Sequence, residues 1–285
     1  MNLESLSSED LSYLSDLEIV ELQRLFKLTP HHKIDLHELW RLMDIVWDEL
    51  KCDNRNIDQK KIEKYYQHPI WLLNGLFIEN HELSLENRQA IVDWMINHLK
   101  INKLIDFGGG TGTLDRMISR ALPNLSIDIY EPFPSQYALN KSELFNNINF
   151  IDKVNSKYDC LICTDVLEHV SDPILLLTEM ISFVKAEGYL VIANHFFPSI
   201  KCHLPCTFHL RYTFNTFTKL LGLIQIESIQ NGYIKIYQKK QLQEIDWALI
   251  RKQERQSKMI FPINEFKYNF IPRCIGKLKK ALEFS

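Results

Sequence analysis

Apolar positions recur at roughly helical spacing through the first hundred residues. Leu11, Leu14, Leu17, Val20, Leu22, Leu25 and Phe26 form one stripe with acids between them, and Thr29-Pro30 breaks it. Ile34, Leu36, Leu39, Trp40, Met43, Val46, Trp47 and Leu50 form a second, wide enough to face a core or another subunit. A third helical segment, Ile57 to Tyr66, ends near His68-Pro69. A fourth is expected to begin at Ser84 as N-cap and carries Ile91, Trp94, Met95, Ile96 and Leu99. Residues 1–100 therefore read as a helical cap or dimerisation region, through which the chain could form a homodimer; a substrate lid is the alternative.

The period changes at residue 103. Short apolar runs now alternate with amphipathic helices, the α/β pattern. Strands are expected at about 103–107, 127–130, 148–151, 158–163 and 188–193, with helices at about 112–121, after Pro132 and Pro134, and from Ser171-Asp172-Pro173, a cap followed by a first-turn proline. A helix at about 213–221 and strands at 223–229 and 232–238 close the region. Asn231-Gly232 is a tight hairpin signal, so those last two strands should be antiparallel. Residues 241–285 begin with a helix-like stretch, Leu242 to Met259, and turn basic at Lys267, Arg273, Lys277, Lys279 and Lys280. That tail reads as packing with a solvated basic face; contact with an anionic membrane surface is the alternative.

Composition narrows the class without naming it. The 285 residues carry a net charge of -3, which gives no general nucleic-acid surface. No apolar run reaches the ~18 to 20 residues of a membrane span. Met1 leads into Glu4, Glu9 and Asp10, unlike a secretory leader. Six scattered cysteines read as free thiols in a reducing cytoplasm, where the protein is expected to reside.

Candidate chemistry centres on Lys103 to Leu114. A strand runs into Asp106, a glycine-dense turn follows, and a helix leaves. Glycines there permit positive φ and let a ligand lie against bare backbone, while the helix start offers free N–H groups. Dinucleotide turns want Gly-x-Gly-x-x-Gly; counted from Gly108 and Gly110 the third position is Thr113, which fails. Glu131 ends the second strand, where an acid can accept from ribose hydroxyls, although NAD enzymes place an acid there too. Asp152 ends the third strand and could accept from an adenine amino group, or be a solvated turn residue.

Asp106-x-Gly108-x-Gly110-x-Gly112 resembles motif I of the class I S-adenosylmethionine-dependent methyltransferases. Tyr158 to Pro173 resembles their motif IV, and Asp165-Val166-Leu167-Glu168-His169-Val170 is similar to the block of the O-methyltransferases of ubiquinone biosynthesis. The resemblance covers about 103–240, the expected S-adenosylmethionine-binding domain at 101–240. It implies a Rossmann-like seven-stranded sheet with an antiparallel last strand, and S-adenosylmethionine as methyl donor. It places Gly108, Gly110 and Gly112 under the methionine moiety, with Asp106 beside them, Glu131 on the ribose, and Thr164 and Asp165 near the sulfonium.

A sulfonium methyl is already activated, so alignment supplies much of the catalysis, and an alcohol acceptor needs a base. Histidine candidates are His195, directly after strand five, then His169, then His209, with His203 on the same loop. Asp165, Glu168 and His169 could instead share one divalent cation, as the resembled enzymes allow. Cys202-His203-x-x-Cys206-x-x-His209 has zinc-type donors at compressed spacing; a pocket-lining loop is the plainer reading, with Phe196, Phe197, Phe208, Tyr212 and Phe214 as its apolar wall. The expected function is methyl transfer to a hydroxyl of a small molecule, such as a sugar, polyketide or quinone-like compound. The alternatives are N- or C-methylation, a non-catalytic binding protein of this fold, and an NAD-dependent enzyme.

Overall fold

The computed structural model of the chain describes residues 7–29, 34–98, 100–240 and 244–282, with side chains as far as Tyr268. Its centre is a seven-stranded sheet in the order β3-β2-β1-β4-β5-β7-β6. The strands are β1 Lys103–Phe107, β2 Ser126–Tyr130, β3 Ile148–Phe150, β4 Tyr158–Thr164, β5 Val184–Ala193, β6 Leu223–Ile229 and β7 Ile234–Lys239. The first five are parallel; β7 enters antiparallel between β5 and β6. The reversal follows from the 230–232 turn, where Asn231 and Gly232 take φ 53° and 90°.

Alternation along the strands sorts two cores. Ile105, Phe107, Leu161, Cys163, Leu190 and Ile192 face the side covered by α9 (Pro173–Phe183) and α10 (Leu210–Leu220). Leu104, Cys160, Ile162, Val191 and Ala193 face the other side, with α7 (Thr113–Ala121) and α6 (Glu82–Ile96). Burial on both faces is why these strands read as continuous apolar runs. Period two also puts Asp106 on the α7 side, directly before the turn. Between β2 and β3 lies α8, Gln136–Ser142.

The N-terminal helices build a third core. They are α1 Ser8–Ser12, α2 Asp16–Lys27, α3 Leu36–Glu49, α4 Gln59–Tyr66 and α5 Ile70–Ile78. The first apolar stripe is two helices, because Ser15 caps α2 through a capping box with Glu18. Leu17 and Val20, expected on its buried face, are 82% and 63% exposed. The start of α6 is also corrected: His81 precedes the helix, and Ser84 lies inside it, its hydroxyl 2.9 Å from His81 Nδ1. The third core takes in Tyr137 of α8 and Ile200, Cys202 and Leu204 of the loop after β5, which is thereby pinned beneath the helical layer.

A long helix, α11 (Trp247–Leu282), packs along α10. Its basic residues beyond Tyr268, and His31-His32, lie outside the described side chains. Among the described residues Cys52, Cys160, Cys163, Cys202 and Cys206 are free thiols, and no helix is long and apolar enough to cross a membrane.

Candidate active site

The candidate residues gather at the carboxyl ends of β1, β2, β4 and β5, the edge where sheets of this type take their ligands. Gly108, Gly110 and Gly112 all take positive φ, at 81°, 58° and 73°. The Gly108 N–H donates to the Tyr130 carbonyl at 2.8 Å, and Gly112 sits at the start of α7 in the left-handed region. A Cβ on Gly110 would meet nothing within 4 Å, so bare main chain faces open space there. Glu131 borders that space. Its Oε2 accepts from the Gly110 N–H at 3.1 Å and its Oε1 from the Phe133 N–H at 3.3 Å, which leaves lone pairs on both oxygens for a further donor. Burial pushes its carboxyl above the usual range despite those bonds.

Behind the turn, Asp106 and Asp115 are buried against each other. Neither Asp106 Oδ1 nor either oxygen of Asp115 has a hydrogen-bond partner among the described residues. Burial drives both carboxyls up, Asp115 to about 7, and each raises or answers the other. A single proton shared between them would engage one oxygen of each, so one of these three oxygens still lacks a donor. Arg88 of α6 brings a half-buried guanidinium to the same place. It donates to the Ser84 carbonyl at 3.0 Å, and its charge lies among Asp165, Asp106, Asp115 and the Tyr233 phenol.

The turn is braced from the N-terminal side. A Cβ on Gly75 of α5 would come 2.2 Å from the Thr111 methyl, so this helix lies directly on the turn. One residue beyond that helix, Glu79 accepts from Thr113 at 3.1 Å, from Tyr137 and Lys141 at 2.9 Å each, and from Arg116. Arg116 also donates to the Thr111 carbonyl. Nothing in the sequence spacing marked Arg88 or Glu79; both lie in the layer that carried no readable motif.

The remaining sequence candidates divide. Thr164 and the exposed Asp165 end β4; Asp165 has φ 53° and accepts from the Tyr233 hydroxyl. His195 directly follows β5, half-buried, with Nε2 2.7 Å from the Ser199 hydroxyl. Burial lowers its pKa, so the ring is neutral and able to take a proton. His169 and His203 pack ring to ring beside it, centroids 4.9 Å apart. Burial and the adjacent His203 push His169 down to about 3. His209 is elsewhere: it is buried under α11, Nδ1 2.7 Å from the Ser257 hydroxyl and the ring edge-on to Phe217, and the structure does not bring it to the crevice. Asp152 is exposed, two residues past β3. The run from Cys202 to His209 does not converge either. Cys202 is buried in the N-terminal core, and Cys206 Sγ points at the Ser171 carbonyl, 3.8 Å away.

Comparison with known proteins decides the family. A family model described as a methyltransferase domain matches residues 77–249, more than half the chain. The chain belongs to the methyltransferase-domain family. Its sheet order and glycine motif are those that the resemblance to the class I members, which use S-adenosylmethionine, implies. Among curated relatives, the ubiquinone biosynthesis O-methyltransferase of Nitrosomonas europaea is 28% identical over 153 residues, 50% of this chain and 65% of that one. That of Erwinia tasmaniensis is 28% identical over 154 residues, 49% and 62%. The chain thus spans under two thirds of the length of these relatives. Of solved structures, the N-methyltransferase NodS from Bradyrhizobium japonicum, in complex with S-adenosylhomocysteine, aligns at 11% identity with a TM-score of 0.45, over 69% of this chain and 99% of that one.

The crevice fits the cofactor on features of its own. The open face of Gly110 accommodates a ligand against backbone, Glu131 has lone pairs to spare, and Asp106 has a buried oxygen in want of a donor.

Proposed function

We propose that this methyltransferase transfers a methyl group from S-adenosylmethionine to a hydroxyl of a small, hydroxylated molecule. When bound, the cofactor supplies a methyl already activated on a sulfonium. The chain's own residues do the rest. Arg88 pairs with the carboxylate of the amino-acid tail and Asp106 receives its ammonium; a zwitterion suits a site that sets one guanidinium among carboxylates. Glu131 accepts from the ribose hydroxyls. Thr164 and Asp165 border the place where the methyl is transferred.

His195 is the base. The observation that carries this reading is a neutral, half-buried imidazole on the first loop after β5, beside the β4 end, with a hydroxyl partner at 2.7 Å. The names of the curated relatives support oxygen as the acceptor atom, and a quinone-like phenol as the substrate class. A base matters for a hydroxyl because the oxygen must lose its proton as the C–O bond forms. The N-terminal layer at 1–100 closes the substrate side as a cap, and the 101–240 unit holds the cofactor.

The test uses the purified protein, labelled S-adenosylmethionine and a panel of hydroxylated aromatic acceptors. Label should appear as an alkali-stable ether, and His195→Ala should lower turnover by about 10²- to 10⁴-fold while calorimetry shows unchanged affinity for S-adenosylhomocysteine. Binding of the cofactor with no acceptor ever labelled would favour a non-catalytic protein of this fold.

A further inference from the structure

Arg211 stands where a helix least favours a cation. It is the second residue of α10, beside the partial positive charge of the helix start, and its side chain is only 11% exposed. Its contacts lie outside its own helix start. Nε at 3.1 Å and Nη2 at 2.8 Å both donate to one main-chain oxygen, the Phe196 carbonyl. Its Cζ lies 3.8 Å from the centre of the Phe197 ring. Nη1 pairs with Glu265 of α11, which also accepts from the Tyr212 hydroxyl at 2.7 Å.

The two residues it grips follow His195 directly. The chain there folds into two successive three-residue turns. The Phe197 N–H donates to the His195 carbonyl at 2.7 Å, and the Ser199 N–H to the Phe197 carbonyl at 2.8 Å. These turns use the carbonyls of His195 and Phe197 and leave that of Phe196 for Arg211. The His195 ring meets the same stretch twice. It is tilted against the Phe197 ring, centroids 5.0 Å apart, and its Nε2 is 2.7 Å from the Ser199 hydroxyl. On the strand side, Glu168 accepts from the His195 N–H at 2.7 Å. The direction of the imidazole therefore depends on where Phe197 and Ser199 stand, and Arg211 holds the main chain that carries them.

We propose that Arg211 is a positioning residue for the His195 imidazole, a role that rests on His195 being the base of the proposed transfer, and that Glu265 holds the guanidinium in place. The methyltransferase-domain match ends at residue 249, so Glu265 lies beyond it. Helix α11 thus serves as a strut for the catalytic loop, reaching it through one ion pair. Lysine cannot do the same. A single ammonium lacks the planar fork that sets two N–H groups on one oxygen and a third on a carboxylate while its face rests on an aromatic ring.

Ring ¹³C relaxation of histidine-labelled protein reads the imidazole directly and needs no acceptor. In the full-length parent the His195 resonance, assigned by its loss in His195→Gln, should report a rigid ring. In Arg211→Ala its order parameter should fall, Arg211→Lys should not restore it, and Glu265→Ala should lower it by less. Against an acceptor that the parent labels, Arg211→Ala should lower kcat by about 10²-fold with KM for S-adenosylmethionine unchanged, and added ethylguanidinium should recover part of that loss. A ring as rigid in Arg211→Ala as in the parent would overturn the proposal, as would a mobile ring in the parent. Where the alanine variant does not fold, Arg211→Lys and Glu265→Ala decide by the same measurement. A parent that labels no acceptor, with the ring still loosened in Arg211→Ala, would remove His195 as base and leave Arg211 as the residue that holds it.

Discussion

Arg88 shows how one side chain can matter without a motif. It sits two turns into α6, half-buried, with one hydrogen bond to its own helix and four acidic or phenolic groups around it. Burial lowers its pKa from the usual guanidinium value, yet it stays charged at any working pH. Replacing it with alanine should weaken S-adenosylhomocysteine binding by about 10- to 100-fold, the worth of one charged hydrogen bond of roughly 1.5–3 kcal/mol, as measured by calorimetry. An affinity within twofold of the parent would remove Arg88 from the cofactor site. The glycine turn of Asp106, Gly108, Gly110 and Gly112 and the strand-end position of Glu131 were legible in the sequence because their spacing is local to one turn and one strand end. Arg88, Glu79 and the position of His203 were not, since their partners are brought by other elements. His209 misled for the same reason: its loop was legible, but its burial under α11 was not.

Elements were legible where a period or a punctuation residue marked them. The β6–β7 hairpin follows from Asn231-Gly232, and α9 from Asp172-Pro173. Helix α5 went unread because Ile70 to Ile78 is apolar all round, with six of its nine residues buried, and so shows no stripe. That helix also carries the tightest contact on the glycine turn. Gly75→Ala would place a methyl against Thr111 and force the two apart, at a cost of about 1–3 kcal/mol by overpacking. Urea denaturation should show that loss together with weaker cofactor binding; a variant as stable as the parent would mean the contact is slack. The start of α9 gives a pH prediction. Asp172 accepts from the Leu175 N–H at 3.1 Å and pairs with Arg251 at 2.5 Å, so its carboxyl lies below the usual value although burial works against this. A depressed folded-state pKa means the contribution is present above the unfolded value and is lost as pH falls through the folded one. Half-exposed as the pair is, Asp172→Asn should cost about 0.5–1 kcal/mol at pH 7, a gap that closes below roughly pH 4. A gap that widened in acid would refute the assignment.

At the scale of the whole molecule, cofactor binding and stability are linked. The glycine turn proposed to hold the cofactor is tied to α5, α7 and α8 through Glu79, so a ligand there should stiffen both layers together. S-adenosylhomocysteine at one hundred times its Kd should add about 2.7 kcal/mol, a rise of roughly 5–10 °C in Tm for a chain of this size. A single transition that shifts as one would fit the shared brace; two transitions, only the later of which moved, would mean the layers melt apart. The brace also limits how such proteins can be recombined. A foreign helical cap spliced onto this sheet to change acceptor preference would arrive without the carboxylate that Arg116, Thr113, Tyr137 and Lys141 all address. It would leave Arg116 and Lys141 without the acid they share. Chimeras joined before Gly75 should keep their donor affinity, whereas those joined after Glu79 should forfeit it unless a small residue and an acid are carried across in register.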